Sequence, residues 1–504
     1  MNTATKINSL KLALILCLTS CASLPIQPSD SSIETLLQDR SGPSVKWSGT
    51  PNLPIDKTII DELLLEPLSP NGAVRIAMLR SPKLLQEYAR LGLARADVLE
   101  ATQLSNPGIS LLRQNENRGG GVERTLEISL PLIDLIVLPI RKKLAHADFE
   151  RARFDIAQAL FDIALNVESA WYSYVGAQQV ADMRTAIANT AQVSADLAER
   201  FYAAGNITEL QLNQERAAAS EARIEAGAAK VKAEETRLTL NNLMGLDSNE
   251  SSWKALDRLP LPVTQEDEPI KLIDMAHERN LQLLAARQQV LVMQTAYQST
   301  RHWRWLGGTE IGYERKINSD GSRLSGPSLH FELPIFNQGQ AKLSRSQAFL
   351  AQAQARLRKT ELSIENSIRA NANTVRTYRD TISIFRDSLI PQRKTVLMRS
   401  QQEHNFMLIG AFELLQAKSK EYKAYQGYLE AIRDYWKTRV ELTRSVGERL
   451  PSDASVTEHA PSLKDILNSK NSSQDTDQFH HDSLHKKKNK NTTTSDTQHQ
   501  GAKP

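Results

Sequence analysis

Apolar and polar residues alternate along short parts of this chain and then switch to helical spacing. In "SLHFELPIFNQGQAKLSRSQ", Leu329, Phe331 and Leu333 alternate with Ser328, His330 and Glu332, the period of a strand with one apolar face. After Pro334 and Gly339 the apolar residues spread to helical spacing and keep it for about sixty residues. The same switch occurs earlier. Val122, Leu126, Ile128 and Leu130 share a face opposite Glu123, Thr125, Glu127 and Ser129, with Arg124 the one intruder on the apolar side. Ile311 and Tyr313 stand opposite Glu310, Gly312 and Glu314. The polar, glycine-bearing stretches "RQNENRGGG" and "KINSDGSRLS" read as hairpin loops. Four strands of about ten residues follow, within 107–131 and 306–334.

Residues 141–203 and 340–404 hold no strong helix breaker except Pro391, and each would reach on the order of 95 Å. Ile156, Leu160, Ile163, Val167, Ala170 and Tyr174 step by fours and threes, a coiled-coil seam. Ile368, Val375, Ile382, Leu389 and Val396 recur every seven residues, which calls for a left-handed supercoil. Gly205 and Gly410 interrupt the helices where the chain must reverse.

These elements come twice. The segment from Ser81 parallels the one from Asn280, with Leu84-Leu85 over Leu283-Leu284. Leu130-Pro131 sits over Leu333-Pro334 and Lys143-Leu144 over Lys342-Leu343, so the first copy has four extra residues between strand and helix. The expected organisation is a signal peptide at 1–20, an extended segment at 21–72, repeats at 73–245 and 272–447 joined by a linker at 246–271, and an unstructured tail at 448–504. Four strands with one apolar face fit a membrane barrel wall, yet four cannot close a barrel alone. If they span a membrane, several chains share one barrel.

Composition agrees with long helices: aromatics are 6% and charged residues 24% of 504. A net charge of +4 on so long a chain argues against nucleic acid. The two cysteines, Cys17 and Cys21, lie in "KLALILCLTSCASLP", where a basic start and a short apolar run read as a secretory signal. Leu18-Thr19-Ser20-Cys21 resembles a bacterial lipobox, which implies a lipid on Cys21, and Ala22 after it suggests the outer membrane. The alternative, an ordinary signal peptide, leaves an unpaired cysteine in an oxidising compartment. The tail places His480, His481 and His485 among Asp475, Asp477 and Asp482, a tract able to bind a transition metal weakly or simply to stay solvated. No Walker loop, GxSxG, HExxH or paired CxxC occurs, so no enzymatic chemistry and no cofactor is expected.

The lipobox, the two copies of strand pair plus long helical hairpin, and the "LPIFNQGQAKL" junction together resemble the outer membrane efflux protein (TolC) family over roughly residues 60–448. The resemblance implies a mainly α fold with a small β part. It implies a homotrimer whose four strands per chain form a twelve-stranded outer-membrane barrel that continues as a helical tunnel across the periplasm. It also implies a periplasmic adaptor at the hairpin tips, around Gly205 and Gly410, and an inner-membrane transporter as energy source. Matching "FELLQAK" to the family pattern places Glu413 at an acidic tunnel entrance with Gln416 one turn later, although the run after Gly410 is shorter than in TolC. Without the resemblance, Glu413 is a carboxylate favoured by a helix N-terminus. Three functions stay open: an exit duct for transition-metal ions such as copper, towards which "FMLIGAFELLQAK" and the tail lean; the same duct for drugs or for type I protein secretion; or a periplasm-spanning coiled-coil lipoprotein without a pore.

Overall fold

A computed structural model describes residues 31–38, 40, 57–115, 121–247, 252–306, 309–332, 334–455, 459–461 and 465–466. Its main axis is set by one apolar seam. Ile156, Leu160, Ile163 and Val167 are all buried, and they belong to a single helix running Leu132–Ala203, about 108 Å long at 1.5 Å per residue.

Along the chain the helices are α1 (Ser31–Gln38), α2 (Lys57–Leu65), α3 (Pro70–Arg80), α4 (Pro82–Thr102), α5 (Leu132–Ala203) and α6 (Glu209–Met244) in the first half. The second half has α7 (Pro269–Arg279), α8 (Leu281–Trp303), α9 (Gln340–Ile384), α10 (Ile390–Asn405) and α11 (Ala411–Val446). Strands β1 (Gly108–Asn115) and β2 (Val122–Pro131) separate α4 from α5; β3 (Glu310–Ile317) and β4 (Arg323–His330) separate α8 from α9. The molecule is thus mostly helical with a small sheet at one end, as expected, and α5–α6 and α9–α11 form two long hairpins.

The four strands make one antiparallel sheet in the order β1-β2-β3-β4, leaving β1 and β4 as edges. Register fixes the faces. Ile109, Ile128, Tyr313 and Pro327 form one row across the sheet, and Leu130, Ile311 and Leu329 another. Ile109, Leu111, Ile128, Tyr313 and Leu329 of this face are exposed. Glu123, Thr125, Glu127, Gly312 and Glu314 occupy the opposite face, where Lys316 pairs with Glu123. Among the described residues, no helix is long and apolar enough to cross a membrane.

Two details depart from the sequence pattern. The extra residues of the first copy are not a linker: α5 starts directly after β2, whereas the described residues 331–332 and 334–339 of the second copy are in neither helix nor strand. The seven-residue seam also breaks. Ile368, Val375 and Ile382 are buried, but a π-helical turn at Phe385–Leu389 inserts a residue, so Ile390 is buried next and Val396 is exposed. Pro391 sits one residue into the helix that restarts there, where its missing N–H costs least. The Phe385 ring stacks where only a glycine fits, since a Cβ on Gly427 would lie 2.7 Å from it.

The waist of the molecule is knotted by the segment between the repeats. Leu68 N–H donates to the Lys254 carbonyl at 2.8 Å, and the Trp171 indole N–H donates to the Leu68 carbonyl at 2.8 Å. The Trp436 indole donates to Pro260 O at 2.6 Å, and Ala460 N–H to Leu259 O at 2.8 Å. Arg439, only 2% exposed, pairs with Glu266 and with Asp453, the latter at 2.5 Å, and also donates to Ser452 at 2.7 Å. Tyr435 donates to Glu266 at 2.6 Å and accepts from Val263 N–H.

Among the described residues, one seam is left without a partner. On α6, Leu210, Ile224, Val231 and Leu238 fall on a seven-residue repeat with Ala217, and all four large residues are more than half exposed.

Candidate functional site: the hairpin tips and the groove beside them

The end of the helices remote from the sheet holds two turns with one backbone plan. In the first, α5 ends in a Schellman motif: Asn206 N–H donates to Phe201 O at 2.8 Å and Gly205 N–H to Tyr202 O at 2.9 Å. Gly205 has φ +73°, the left-handed conformation that motif demands. Thr208 then starts α6 with a capping box, its hydroxyl accepting from Gln211 N–H and its own N–H donating to the Gln211 side chain, both at 3.2 Å.

The second turn repeats the bonds with different residues. Leu408 N–H donates to Glu403 O and Met407 N–H to His404 O, each at 2.9 Å. The left-handed position is Met407, φ 57°, the one non-glycine residue with positive φ among the described residues. Gly410 therefore does not reverse the chain. It is the N-cap of α11 in extended conformation, the counterpart of Thr208. Having no side chain, it cannot cap. Glu413, at the position Gln211 holds in α6, folds back so that its Oε2 would lie 2.8 Å from a Cβ on Gly410. This places the carboxylate at the positive end of the helix.

Glu413 and Gln416 are both exposed, and both line a groove between α5, α6 and α11. Glu215 of α6 lines it too, accepting from the Ser194 hydroxyl at 2.7 Å. Lys420 reaches Gln416 Oε1 at 3.5 Å. The fold thus brings carboxylates of the two repeats to one groove. Sequence reasoning missed Glu215, which is one Glu among many on a polar helix. Phe201 and Phe412, edge to face with centroids 5.8 Å apart, hold the two tips together.

A second missed feature is apolar. Phe406, Met407 and Leu408 are 76%, 93% and 73% exposed at the second tip. The signal was present, three large apolar residues at a turn, but "FMLIG" reads as helix until the reversal is located. Cys21, His480, His481 and His485 lie outside the described residues. Among the described residues no group of three or more His, Cys, Asp or Glu is arranged to hold a metal ion.

The profile described as "Outer membrane efflux protein" matches residues 73–246 and 272–448, well over half of the chain. Solved structures share the fold. The Campylobacter jejuni CmeC outer membrane channel superposes with a TM-score of 0.64 at 15% identity, over 76% of this chain and 86% of that one. The Vibrio cholerae outer membrane protein VceC gives 0.62 at 15% identity, over 75% and 96%. The open state of the Neisseria gonorrhoeae MtrE outer membrane channel gives 0.56 at 16% identity, over 75% and 88%. A search of curated protein sequences found no match.

Proposed function

Because this chain belongs to the outer membrane efflux protein family, we propose that it is one subunit of a trimeric exit duct serving a tripartite efflux system. The observation that carries the reading is the sheet: four strands, apolar and exposed on one face, polar on the other, and open at both β1 and β4. An open edge in lipid leaves backbone groups unsatisfied, so β4 of one copy pairs with β1 of the next, and three copies close twelve strands. The bare heptad stripe on α6 supports the same assembly, since an unfilled coiled-coil seam calls for another helix. A tether without a pore would need neither feature.

In this reading a lipid on Cys21 anchors the chain to the outer membrane, with its helices in the periplasm. The tips around Gly205 and Gly410 meet a periplasmic adaptor, with Phe406, Met407 and Leu408 as its apolar contact, and an inner-membrane transporter drives export. Threefold repetition of Glu413, with Glu215 nearby, makes an acidic ring that favours cations. The proposed cargo is a transition-metal ion, which the His480, His481 and His485 tract would also suit. The domain limits proposed from the sequence, 73–245 and 272–447 flanking a 246–271 linker, accompany this reading.

Two measurements test it. The purified full chain in planar bilayers should conduct with a preference for cations that falls on Glu413→Gln; unchanged selectivity removes Glu413 from the entrance. A deletion strain should lose tolerance to copper or silver. Sensitivity to hydrophobic drugs instead, or a secreted protein retained in the periplasm, transfers the duct to the other cargo.

A further inference from the structure

The apolar face of the sheet is graded from end to end. Towards the helices it carries Leu130, Ile311 and Leu329; towards the hairpin loops it carries arginines. Arg113 stands directly opposite Arg124, Arg124 opposite Ile317, and Ile317 opposite Arg323. Arg315 lies one step inward on the same face, opposite Leu126. All four guanidinium groups are on exposed residues. No ion pair joins any of them to a carboxylate among the described residues, and every described glutamate of the sheet (Glu123, Glu127, Glu310 and Glu314) belongs to the other face. Asp320, in the loop between β3 and β4, is engaged by Ser322 N–H at 2.9 Å.

Like charges placed directly across a strand pair repel, so the arrangement weakens the isolated sheet. Depth explains where it becomes favourable. The arginine row is six residues along β2 from the Leu130 row, about 20 Å of strand and about 15 Å of membrane depth at the tilt of a barrel strand. An apolar band is about 25 Å tall. Exposed Phe331, Ile335 and Phe336 extend the apolar surface below the sheet, which brings the arginines to the far boundary of the hydrocarbon.

We propose that Arg113, Arg124, Arg315 and Arg323 form a binding site for the phosphate groups of an outer-leaflet lipid, on the lipid-facing wall at the loop end of the barrel. Neighbouring strands lie about 4.8 Å apart, so Arg113 and Arg124 can grip one phosphate while Arg323, two strands on, reaches a second. Arginine suits this because its planar fork meets phosphate oxygens in pairs and is readily desolvated. The occupant is a phosphorylated lipid and not a protein, because the charges rim an apolar surface of membrane height. The site rests on the duct reading, which puts this face in lipid.

The test uses the full chain in phosphatidylethanolamine vesicles containing either bisphosphorylated lipid A or its dephosphorylated form. Lipid retained on the extracted channel is counted by native mass spectrometry, and conductance is recorded from the same vesicles. The wild-type channel should retain the phosphorylated form about tenfold over the other. The combined R113Q, R124Q and R323Q variant should conduct normally and show no preference. The corresponding lysine variant should fall between, having charge but no fork. A conducting wild-type channel without preference, or a glutamine variant that keeps it, overturns the site and leaves the duct standing. Displacement by millimolar inorganic phosphate overturns the assignment to lipid. Absence of conductance in every preparation defeats the duct reading and this site with it.

Discussion

The waist and the tip are built from the same helices, yet they treat their side chains in opposite ways. At the waist, polar and aromatic groups are turned inward and engaged: both terminal nitrogens of Arg439 by Glu266, Asp453 and Ser452, Trp171 and Trp436 by backbone carbonyls. At the tip, Phe406, Met407 and Leu408 face water, and Met407 holds a backbone conformation better suited to the glycine that the other repeat uses. The waist spends its chemistry on holding the chain together. The tip leaves its apolar chemistry exposed.

The largest effect should come from breaking the waist. Arg439→Ala leaves the largely enclosed Glu266 without its cation, and loss of one partner of a fully buried pair costs about 3–5 kcal/mol, an upper bound here. The unfolding midpoint of the purified protein should fall accordingly, and Arg439→Lys should rescue only part of it, because one ammonium cannot replace a fork that serves three oxygen-bearing residues. A near-neutral Arg439→Ala would mean that the waist is held by its apolar packing alone.

The tip should answer with the opposite sign. Met407→Gly removes the left-handed penalty and should gain roughly 0.5–1 kcal/mol in the same unfolding measurement. Export by the intact system should nevertheless fall, because the side chain that is lost is one of three exposed apolar groups. A variant that is both more stable and fully active would show that Met407 is a tolerated accident.

The smallest effect sharpens the waist itself. Glu168 lines a pocket with Tyr172, Arg439, Arg449 and Asp453, and burial pushes its carboxyl above the ordinary 4.5, with Arg449 opposing. The folded chain therefore holds this proton more tightly than the unfolded chain does. Its contribution favours folding below about 4.5 and is lost as pH rises through the folded value. Glu168→Gln should leave stability unchanged below that range, raise it slightly at neutral pH, and flatten the curve between. A stability loss at neutral pH would show that the carboxylate is worth more to Arg449 than burial costs it.

Strand positions, helix hairpins and the duplication were legible because each follows from the spacing of apolar residues within one segment. Ile368, Val375 and Ile382 were readable as a seam for that reason. The seam beyond Ile382 was not, since a π turn shifts phase without changing composition. Gly410 reads as a reversal because glycine permits one; the backbone bonds give that place to Met407. Glu413 was visible from its neighbours in sequence, whereas Glu215 joins it only because α6 packs beside α11.

By itself, then, the sequence determined the local elements, their twofold repetition, and which face of each strand and helix is apolar. These depend on side-chain size and polarity at short separation. The tertiary structure alone decided what crosses between segments: the arginine cluster spread over four strands, the paired groove of Glu215 and Glu413, and the buried grip of Arg439 on residues from the linker and the chain beyond α11. Such contacts depend on strand register and helix packing, which no single stretch of residues encodes.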